Sequence, residues 1–345
     1  MRSIVLIHPP FYDMDTENTL LKPLFTNRDP NIEIKSFSWK LALLSSYKVL
    51  HVHWLEHLVA APTIPKSLCK ALLSMFLFFR VSISNILVVN TRHNLKPHSK
   101  INNPFSRIIY YLWGKKVSTQ IVMNRFELTN LEPTRRLIPH PVYTIENLGL
   151  SGALPQKGTE HQYYIHFGRM DANRFIIDLI QNFGTSVKNA NLLLVGEVPK
   201  NEYRSKILSA VKGFSNIYIV PKKVSLTELN SLISNSSGVI GPLNEYHNSG
   251  VLFHALSHKK SILTLENMTS RELQSELAGS LIHLDIDPCS RSAILRFVSA
   301  TSGSTLSQSI ETFISQRQPI DFFRKHIALY KEIIKGDSDS GSLDK

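Results

Sequence analysis

The chain has 345 residues, a hydrophobic fraction of 43% and a formal net charge of +12. This length is typical of two globular domains with sizeable cores. The two cysteines, Cys69 and Cys289, form neither a disulfide framework nor a metal-ligand spacing, so we expect a reducing, cytoplasmic setting. A short apolar strand follows Met1 and Arg2 at once, and we expect no signal peptide.

The positive charge is compatible with three kinds of partner: nucleic acid, an anionic membrane surface or an acidic substrate. Apolar segments at 71–79 and 108–113 are flanked by basic residues, which are Lys66, Lys70, Arg80, Arg107, Lys115 and Lys116. The apolar run 72–79 is too short to span a bilayer. It fits either a helix that rests on anionic lipid or a core helix with solvated ends. The sequence contains no nucleic-acid-binding motif, and we expect no nucleic-acid partner.

Strands and helices alternate through the first 143 residues. Most strands are continuous apolar runs, as in parallel strands that are buried on both faces. The strand at 32–37 alternates apolar and polar residues, so we expect it at an edge or half-exposed. The predicted strands are 3–8, 32–37, 48–53, 86–91 and 120–124, and the predicted helices are 19–27, 66–81 and 104–113. Pro139 and Pro141 end regular structure near 137–143.

A glycine-rich stretch at 144–160 is the predicted linker to a second half that alternates in the same way. Its predicted strands are 163–167, 191–196, 217–220, 238–240 and 261–265, and its predicted helices are 173–183, 202–211, 225–235 and one that begins at Ser249. We therefore expect two α/β domains, at 1–143 and 161–320, each with a doubly wound sheet. A C-terminal helix at 321–335 and a disordered tail at 336–345 complete the prediction.

The clearest site signal in the residues themselves is a polar loop between two predicted strands. Within the run 241–263, a helix opens at Asn248, Ser249 and Gly250 directly after a strand end. Such a start offers backbone N–H groups and the positive end of a helix dipole, and Gly250 allows close approach. We expect a phosphate-type anion site there, with an ordinary capped helix as the alternative. The first strand lacks a G-x-G-x-x-G motif, which argues against dinucleotide binding.

Six segments, in order along the chain, resemble motifs of one enzyme family. They are H-V-H-W-L-E (51–56), N-T-R-H-N-L-K-P-H (90–98), I-P-H-P-V-Y (138–143), F-G-R-M-D-A-N-R-F-I-I-D-L-I (167–180), L-L-L-V-G (192–196) and N-S-G-V-L-F-H-A-L (248–256). Together they resemble the GT-B glycosyltransferases of bacterial exopolysaccharide, capsule and lipopolysaccharide synthesis. The resemblance covers nearly all of residues 1–335.

The resemblance implies a fold and a reaction. The fold is two Rossmann-like α/β domains facing a central cleft, with a C-terminal helix that crosses back to the first domain. The reaction moves a sugar from a nucleotide-diphosphate sugar to a glycan or to a polyprenyl-diphosphate-linked acceptor, at the inner face of the plasma membrane. We expect neither metal nor cofactor, because aimed N–H groups and guanidinium groups can stabilise the leaving diphosphate.

The resemblance also places site residues. The predicted donor-binding residues are Gly168, Arg169, Arg174, Gly196, Glu245, His247, Asn248, Ser249, Gly250, Val251 and His254. The residues predicted to take the acceptor proton, at the strand ends of the first domain beside His8, are His93, Glu56 and His98. An inverting enzyme needs such a base, whereas a retaining one can use a donor phosphate oxygen. For Glu56 the alternative is a helix cap, for His93 a bond to the loop backbone, and His140 is expected to be structural.

Two departures from the family pattern concern the donor site. His254 stands where many relatives carry a glutamate that contacts the ribose, and Asp171 replaces an arginine. Arg174 replaces a lysine and keeps the cation that pairs with the diphosphate. A non-catalytic glycan-binding or scaffold protein and a nucleotide-sugar epimerase remain as alternatives.

Overall fold

The computed structural model consists of two compact units, formed by residues 1–141 with 319–345 and by residues 142–318. It describes residues 2–11, 20–94, 101, 103–128, 134–145, 162–170, 175–199, 202–244, 247–279, 281–301 and 308–340. Among these residues no helix is both long and apolar enough to cross a bilayer. The expected linker lies outside the described part from residue 146 onward, and so do residues 341–345 of the expected tail.

The first unit contains a six-stranded parallel sheet. Its strands are β1 (Ser3–His8), β2 (Ile32–Ser36), β3 (Val49–Val52), β4 (Leu87–Thr91), β5 (Thr119–Val122) and β6 (Arg135–Leu137). Their spatial order is β2-β1-β3-β4-β5-β6, which places β2 at an edge as its alternating pattern predicts. The order reverses between β1 and β3, where Val5 pairs with Val49. Ligands of doubly wound sheets bind outside the carboxyl ends at such a switch point.

Helices cover both faces of this sheet because successive strand side chains point to opposite sides. The helices are α1 (Lys22–Thr26), α2 (Trp39–Leu44), α3 (Ile64–Ile83), α4 (Pro104–Lys116) and, from the end of the chain, α12 (Pro319–Ser340). One core joins Val5 and Val49 to Tyr330 of α12, so this helix packs on the first unit. The other core joins Leu6 and Leu50 to α3 and α4. Short 3₁₀ turns lie at Leu55–Leu58 and Arg125–Glu127.

The second unit repeats the plan with a second six-stranded parallel sheet. Its strands are β7 (Tyr163–Phe167), β8 (Asn191–Val195), β9 (Ile217–Val220), β10 (Gly238–Ile240), β11 (Ile262–Leu265) and β12 (Ile282–Asp285). The order is β12-β11-β10-β7-β8-β9, so the switch point lies between β7 and β10. The helices are α5 (Ile176–Ser186), α6 (Glu202–Lys212), α7 (Leu226–Asn235), α8 (Gly250–Ser257), α9 (Met268–Glu276), α10 (Arg291–Thr301) and α11 (Gln308–Gln316).

Several elements differ from the sequence prediction. The strands β6 and β12 and the helices α2, α9, α10 and α11 were not predicted. Strand β6 reads Arg-Arg-Leu, which has no strand pattern, and pairing with β5 through Gln120 and Arg135 defines it. The C-terminal helix was predicted to end at residue 335, but α12 continues through Gly336 to Ser340. A single glycine with polar neighbours was therefore wrongly interpreted as the end of the helix.

Helix α3 has two apolar faces, of which one is buried as in a core helix and the other is exposed. Contact of the exposed face with lipid stays a prediction. One face packs small and branched residues, including Ala71, Ser74 and Leu77, against the rest of the unit. The opposite face carries large apolar side chains that are 38% to 86% exposed, which are Ile64, Leu68, Leu72, Phe76, Phe79 and Ile83. Their spacing of four, four, four, three and four residues forms one continuous line, which we call the α3 stripe.

Candidate functional site

The carboxyl edge of the first sheet brings polar residues from three neighbouring strands together. His8 ends β1, His53 follows β3 and His93 lies two residues beyond β4. The strands are parallel and adjacent, so their ends share one edge of the sheet. All three imidazoles are buried, with at most 7% of each residue exposed. This edge is the first candidate site.

A pocket of about 380 Å³ opens beside this edge. It is lined by His53, Trp54, Leu55, Glu56, Asn90, Thr91, Arg92, His93, Asn94, Tyr110, Tyr111, Gly114, Lys115, Val117 and Gln120. Two predicted catalytic residues, His93 and Glu56, are both in its wall. The lining combines a carboxylate, an imidazole, aromatic rings and the cations Arg92 and Lys115, a set suited to an anionic carbohydrate.

His93 is held by two neighbours in the pocket wall. Its Nε2 atom lies 2.9 Å from Nδ1 of His53, within hydrogen-bonding distance. The indole of Trp54 stacks on its ring, with centroids 4.2 Å apart and planes 16° apart. Because these contacts fix both the plane and one nitrogen of the ring, His93 is ordered before any ligand binds.

A second histidine pair lies deeper, below the pocket. His51 places Nδ1 2.6 Å from the Tyr330 hydroxyl and Nε2 2.7 Å from the Thr91 hydroxyl. His326 lies beside it, with ring centroids 5.7 Å apart, and its Nδ1 donates to the Phe322 carbonyl at 2.8 Å. Both His326 and Tyr330 belong to α12, so the C-terminal helix completes the interior beneath this edge.

Burial keeps these histidines neutral. It lowers the pKa of His8 to about 3, with smaller contributions from Lys70 and His57. It lowers the pKa of His326 to about 4. Burial also holds the pKa values of His51 and His53 well below the ordinary value, and neighbouring histidines add to the effect. Neutral imidazoles can accept as well as donate hydrogen bonds, which a protonated cluster could not do.

The second candidate site lies at the carboxyl edge of the other sheet. Gly168 follows β7 and Gly196 follows β8, and a Cβ on Gly196 would stand only 1.9 Å from the Gly168 carbonyl oxygen. This contact requires glycine at 196, whose φ of 146° other residues avoid. At the switch point, α8 begins at Gly250 after Ser249, whose side chain caps no N–H group among the described residues. Backbone N–H groups at a helix start without a side-chain cap are the groups that anion sites of this type use.

His254 is built into this second site one turn into α8. Its Nε2 lies 2.7 Å from Asn230 Oδ1, and its ring packs against Tyr143 and Phe167, with centroids 5.0 Å and 5.6 Å away. Burial, helped by His258, lowers the pKa of His254 to about 3. The position at which the family resemblance predicts a glutamate therefore holds a neutral imidazole.

Comparison with known proteins supplies the decisive observation. Two curated relatives, both GDP-mannose:glycolipid 4-beta-D-mannosyltransferases of Xanthomonas campestris pv. campestris, are 22% identical over 329 residues, or 94% of this chain and 90% of theirs. The Anabaena protein HepE in complex with UDP-glucose superposes with a TM-score of 0.67 at 12% identity, over 96% of this chain and 100% of that one. This chain has the GT-B fold of glycosyltransferases, and it is similar in sequence to a glycosyltransferase over nearly its whole length.

Comparison with a second solved structure agrees on the fold. Sucrose-phosphate synthase of Thermosynechococcus elongatus gives a TM-score of 0.63 at 14% identity, over 97% of this chain and 100% of that one. No family model matches the chain. The prediction of an α/β architecture with two parallel, doubly wound sheets is confirmed.

The structure describes most of the predicted donor residues. Gly168, Arg169 and Gly196 follow strand ends, and Gly250, Val251 and His254 are on α8. Directly before α8 lie Asn248, Ser249 and the buried His247, whose carbonyl accepts from Thr269 at 2.6 Å. Arg174 and Glu245, together with Asp171, lie outside the described residues, as does His98. His140 is buried and its Nδ1 lies 2.7 Å from the Pro141 carbonyl, in keeping with a structural role. The roles of all these residues stay predictions.

Some site residues were missed by sequence reasoning. Tyr110 and Lys115 line the pocket from α4, and Asn230 reaches His254 from α7. The sequence of a helix does not indicate which of its faces lies against the end of a distant strand, so the helical residues could not be predicted as site residues. Trp54 could have been, because it lies within the motif at 51–56. Among the described residues, no group of three or more His, Cys, Asp or Glu side chains is arranged to hold a metal ion.

Proposed function

We propose that this glycosyltransferase moves a sugar from a nucleoside diphosphate sugar to a lipid-linked glycan during surface polysaccharide synthesis, as a peripheral enzyme on the inner face of the plasma membrane. The names of its two curated relatives, which act from GDP-mannose on a glycolipid, support both substrate classes. The observation that carries the proposal is the pocket at the first sheet, whose wall contains the imidazole of His93, the cations Arg92 and Lys115 and the exposed ring of Tyr111.

The donor is proposed to bind the second unit. The start of α8 offers N–H groups, and the glycines at 168 and 196 allow a diphosphate to approach the backbone closely. Arg174 is proposed to add a guanidinium to the same phosphates. Fixed positive charge of this kind stabilises a leaving diphosphate without a metal ion, so we propose a metal-independent reaction.

The acceptor is proposed to bind the pocket of the first unit. His93 is proposed as the base that takes the proton of the acceptor hydroxyl, with Glu56 beside it in the wall. A protein base at this position suits an inverting transfer. Arg92 and Lys115 are proposed to bind the phosphate of a lipid diphosphate, and Trp54 to contact sugar.

The pocket and the α3 stripe are linked through α4. Tyr111 and Lys115 of α4 line the pocket, while Tyr111 and Ile108 are exposed. Helix α4 packs on α3, where Trp113 donates to Ser74 at 2.7 Å. Apolar side chains beside cations such as Lys66 and Lys116 suit insertion into an anionic lipid surface. A lipid-linked acceptor could then present its polar head to the pocket while its tail stays in the membrane.

A nucleotide screen tests the donor site. We expect GDP, before UDP, dTDP, CMP and ADP, to raise the melting temperature of the wild type, because a ligand specific for the folded state stabilises it by about 2.7 kcal/mol at a hundredfold excess over Kd. Arg174→Ala should remove the shift. Arg296→Ala, which breaks a surface pair with Asp285, is the control and should keep the shift. No shift with any nucleotide would favour the scaffold alternative.

An EDTA assay tests metal independence. EDTA should leave transfer from GDP-mannose unchanged, and activity that disappears with EDTA would reject metal independence.

Vesicle flotation tests the membrane surface. We expect the wild type to float with phosphatidylglycerol vesicles at low salt and less with neutral ones. The double variant Phe76→Glu with Phe79→Glu should bind at least about tenfold more weakly, since burial of one phenylalanine contributes about 1.5–3 kcal/mol. Ile286→Glu replaces an even more exposed apolar residue of the second unit and should leave flotation unchanged. Equal flotation of the double variant and the control variant would contradict contact of the α3 stripe with the membrane.

A further inference from the structure

We propose that the side-chain amide of Gln120 binds a hydroxyl group of the acceptor sugar, in a subsite that Asn90 orients and Gly114 leaves open. The inference rests on the proposed role of the pocket at the first sheet as the acceptor site. It assigns a task to three residues of the pocket wall that the transfer reaction does not otherwise use.

Two amide side chains from neighbouring strands form part of the pocket wall. Val52 of β3 pairs with Asn90 of β4, and Asn90 pairs with Gln120 of β5. Residues in register on adjacent parallel strands carry their side chains on the same face of the sheet. On this face Val88, two residues before Asn90, belongs to the core formed with α3 and α4. The face therefore changes from apolar side chains to amides where the pocket begins.

A backbone carbonyl fixes the direction of both amides. The Val52 carbonyl oxygen can only accept, so the Asn90 atom that lies 2.8 Å from it is Nδ2, which donates. The Oδ1 atom of Asn90 then accepts from Nε2 of Gln120 at 3.5 Å. Within the described part of the chain Gln120 forms no other side-chain hydrogen bond, so its Oε1 atom keeps its lone pairs for a ligand.

A carbonyl oxygen in a pocket wall binds groups that donate hydrogen bonds. Sugar hydroxyl groups donate, whereas the oxygens of an ionised phosphate group only accept. Gln120 therefore suits the sugar of the acceptor, and Arg92 and Lys115 of the same pocket suit its phosphate. A protein group that is placed to bond a hydroxyl also discriminates against a sugar that lacks this hydroxyl.

Gly114 is an independent observation that points to a ligand. It lies inside α4, before the helix ends at Lys116, and it lines the same pocket. A Cβ atom at this position would meet no atom within 4 Å, and the backbone is not in the left-handed region. Neither packing nor backbone conformation therefore requires glycine, although glycine lowers the stability of a helix relative to alanine. The space beside Gly114 is room that a bound sugar can use.

Filling this space tests the subsite, and a matched glycine elsewhere is the control. Gly114→Ala and Gly336→Ala each add a Cβ atom that meets no neighbour within 4 Å, so both should raise the melting temperature. Gly114→Leu should lower kcat/KM for a bacterial lipid extract as acceptor by at least about tenfold, since a displaced acceptor loses its alignment with the donor. Gly336→Leu should leave it unchanged. An unchanged kcat/KM in Gly114→Leu would overturn the inference.

Replacement of the amide tests the hydrogen bond itself. Gln120→Leu keeps the approximate size of the side chain and removes the accepting oxygen. We expect the apparent KM for the lipid extract to rise about two- to tenfold, as for the loss of one neutral hydrogen bond, and the KM for GDP-mannose to stay the same. Gln181→Leu, at an exposed position of α5, is the matched control and should change neither KM. A change confined to the KM for GDP-mannose would contradict an acceptor subsite.

A binding measurement separates this inference from the proposed function. The probe is a mixture of methyl glucoside, methyl galactoside and methyl mannoside, added to the whole protein saturated with GDP. The side-chain amide signal of Gln120, assigned through Gln120→Leu, should shift in ¹H–¹⁵N spectra of the wild type and stay in place in Gly114→Leu. A wild type that shows this shift but transfers nothing would reject the proposed function and leave the subsite standing. A Gln120 signal that does not shift in the wild type would overturn the subsite alone.

Discussion

At the scale of single residues, Asn230 fixes the state of two histidines in the second unit. Its Oδ1 lies 2.7 Å from Nε2 of His254 and 3.2 Å from Nε2 of His258. A carbonyl oxygen only accepts, so both rings carry their proton on Nε2. His258 completes its bonding by accepting from the Ser234 hydroxyl at 2.8 Å. The sequence shows His254 as a departure from the family, but the partner lies 24 positions away on another helix.

This network predicts a large effect of a small change. Asn230→Ala should lower the free energy of unfolding by about 2–6 kcal/mol, because two buried N–H groups lose their acceptor at about 1–3 kcal/mol each. Asn235→Ala on the same helix removes an exposed bond to the Ser231 carbonyl and is the control, with a change within about 0.5 kcal/mol. Urea unfolding followed by circular dichroism measures both. Similar losses would show that the buried network contributes nothing special.

At the scale of elements, the two long helices of the first unit show where pattern reasoning succeeds and fails. The apolar run of α3 predicts a helix, and residues 66–81 lie within its observed bounds. Both faces are apolar, so the pattern did not reveal that one face packs and the other forms the α3 stripe. In α12, the residues 335–340 are Lys, Gly, Asp, Ser, Asp and Ser, which favour a loop by propensity, yet the helix continues through them.

A substitution at Gly336 tests the end of α12. The position is exposed within the helix, and a Cβ there would meet no atom within 4 Å. Gly336→Ala should therefore raise the free energy of unfolding by about 0.5–1 kcal/mol, the usual cost of glycine within a helix. Gly279→Ala is the opposite control, since its φ of 77° disfavours alanine and stability should fall. Thermal unfolding compares the two. If Gly336→Ala does not raise the free energy of unfolding, residues 336–340 behave as the disordered tail that their composition predicts.

At the scale of the whole molecule, buried neutral histidines tie stability to pH. Both units contribute, with pKa values lowered to about 3 for His8 and His254 and to about 4 for His258 and His326. Between pH 6.5 and about 4 the unfolded chain binds protons at these positions and the folded chain does not. The unfolded state is therefore favoured as pH falls through this window, and above pH 6.5 the effect ends.

We therefore expect the melting temperature to be flat from pH 8 to 7 and to fall steeply from 6.5 to 4.5. Each such histidine contributes up to about 1.4 kcal/mol per pH unit. Below pH 6.5 the melting temperature of His326→Gln, measured relative to that variant's value at pH 8, should fall less than that of the wild type. Arg296→Ala, which breaks a surface pair with Asp285, should show the same decrease as the wild type. Differential scanning calorimetry at half-unit steps measures this. A wild-type melting temperature that is independent of pH from 7 to 4.5 would contradict the neutral interior.

Local patterns in the sequence predicted the alternation of strands and helices, the edge position of β2 and the helix start near Gly250. These features depend on local pattern and turn chemistry, which a chain carries wherever it folds. The tertiary structure decided which side chains meet: His53 with His93, His51 with Tyr330 of α12, and His254 with Asn230. It also decided which face of α3 is covered. Such contacts join positions up to 279 residues apart, and strand order and helix docking set them rather than any local pattern.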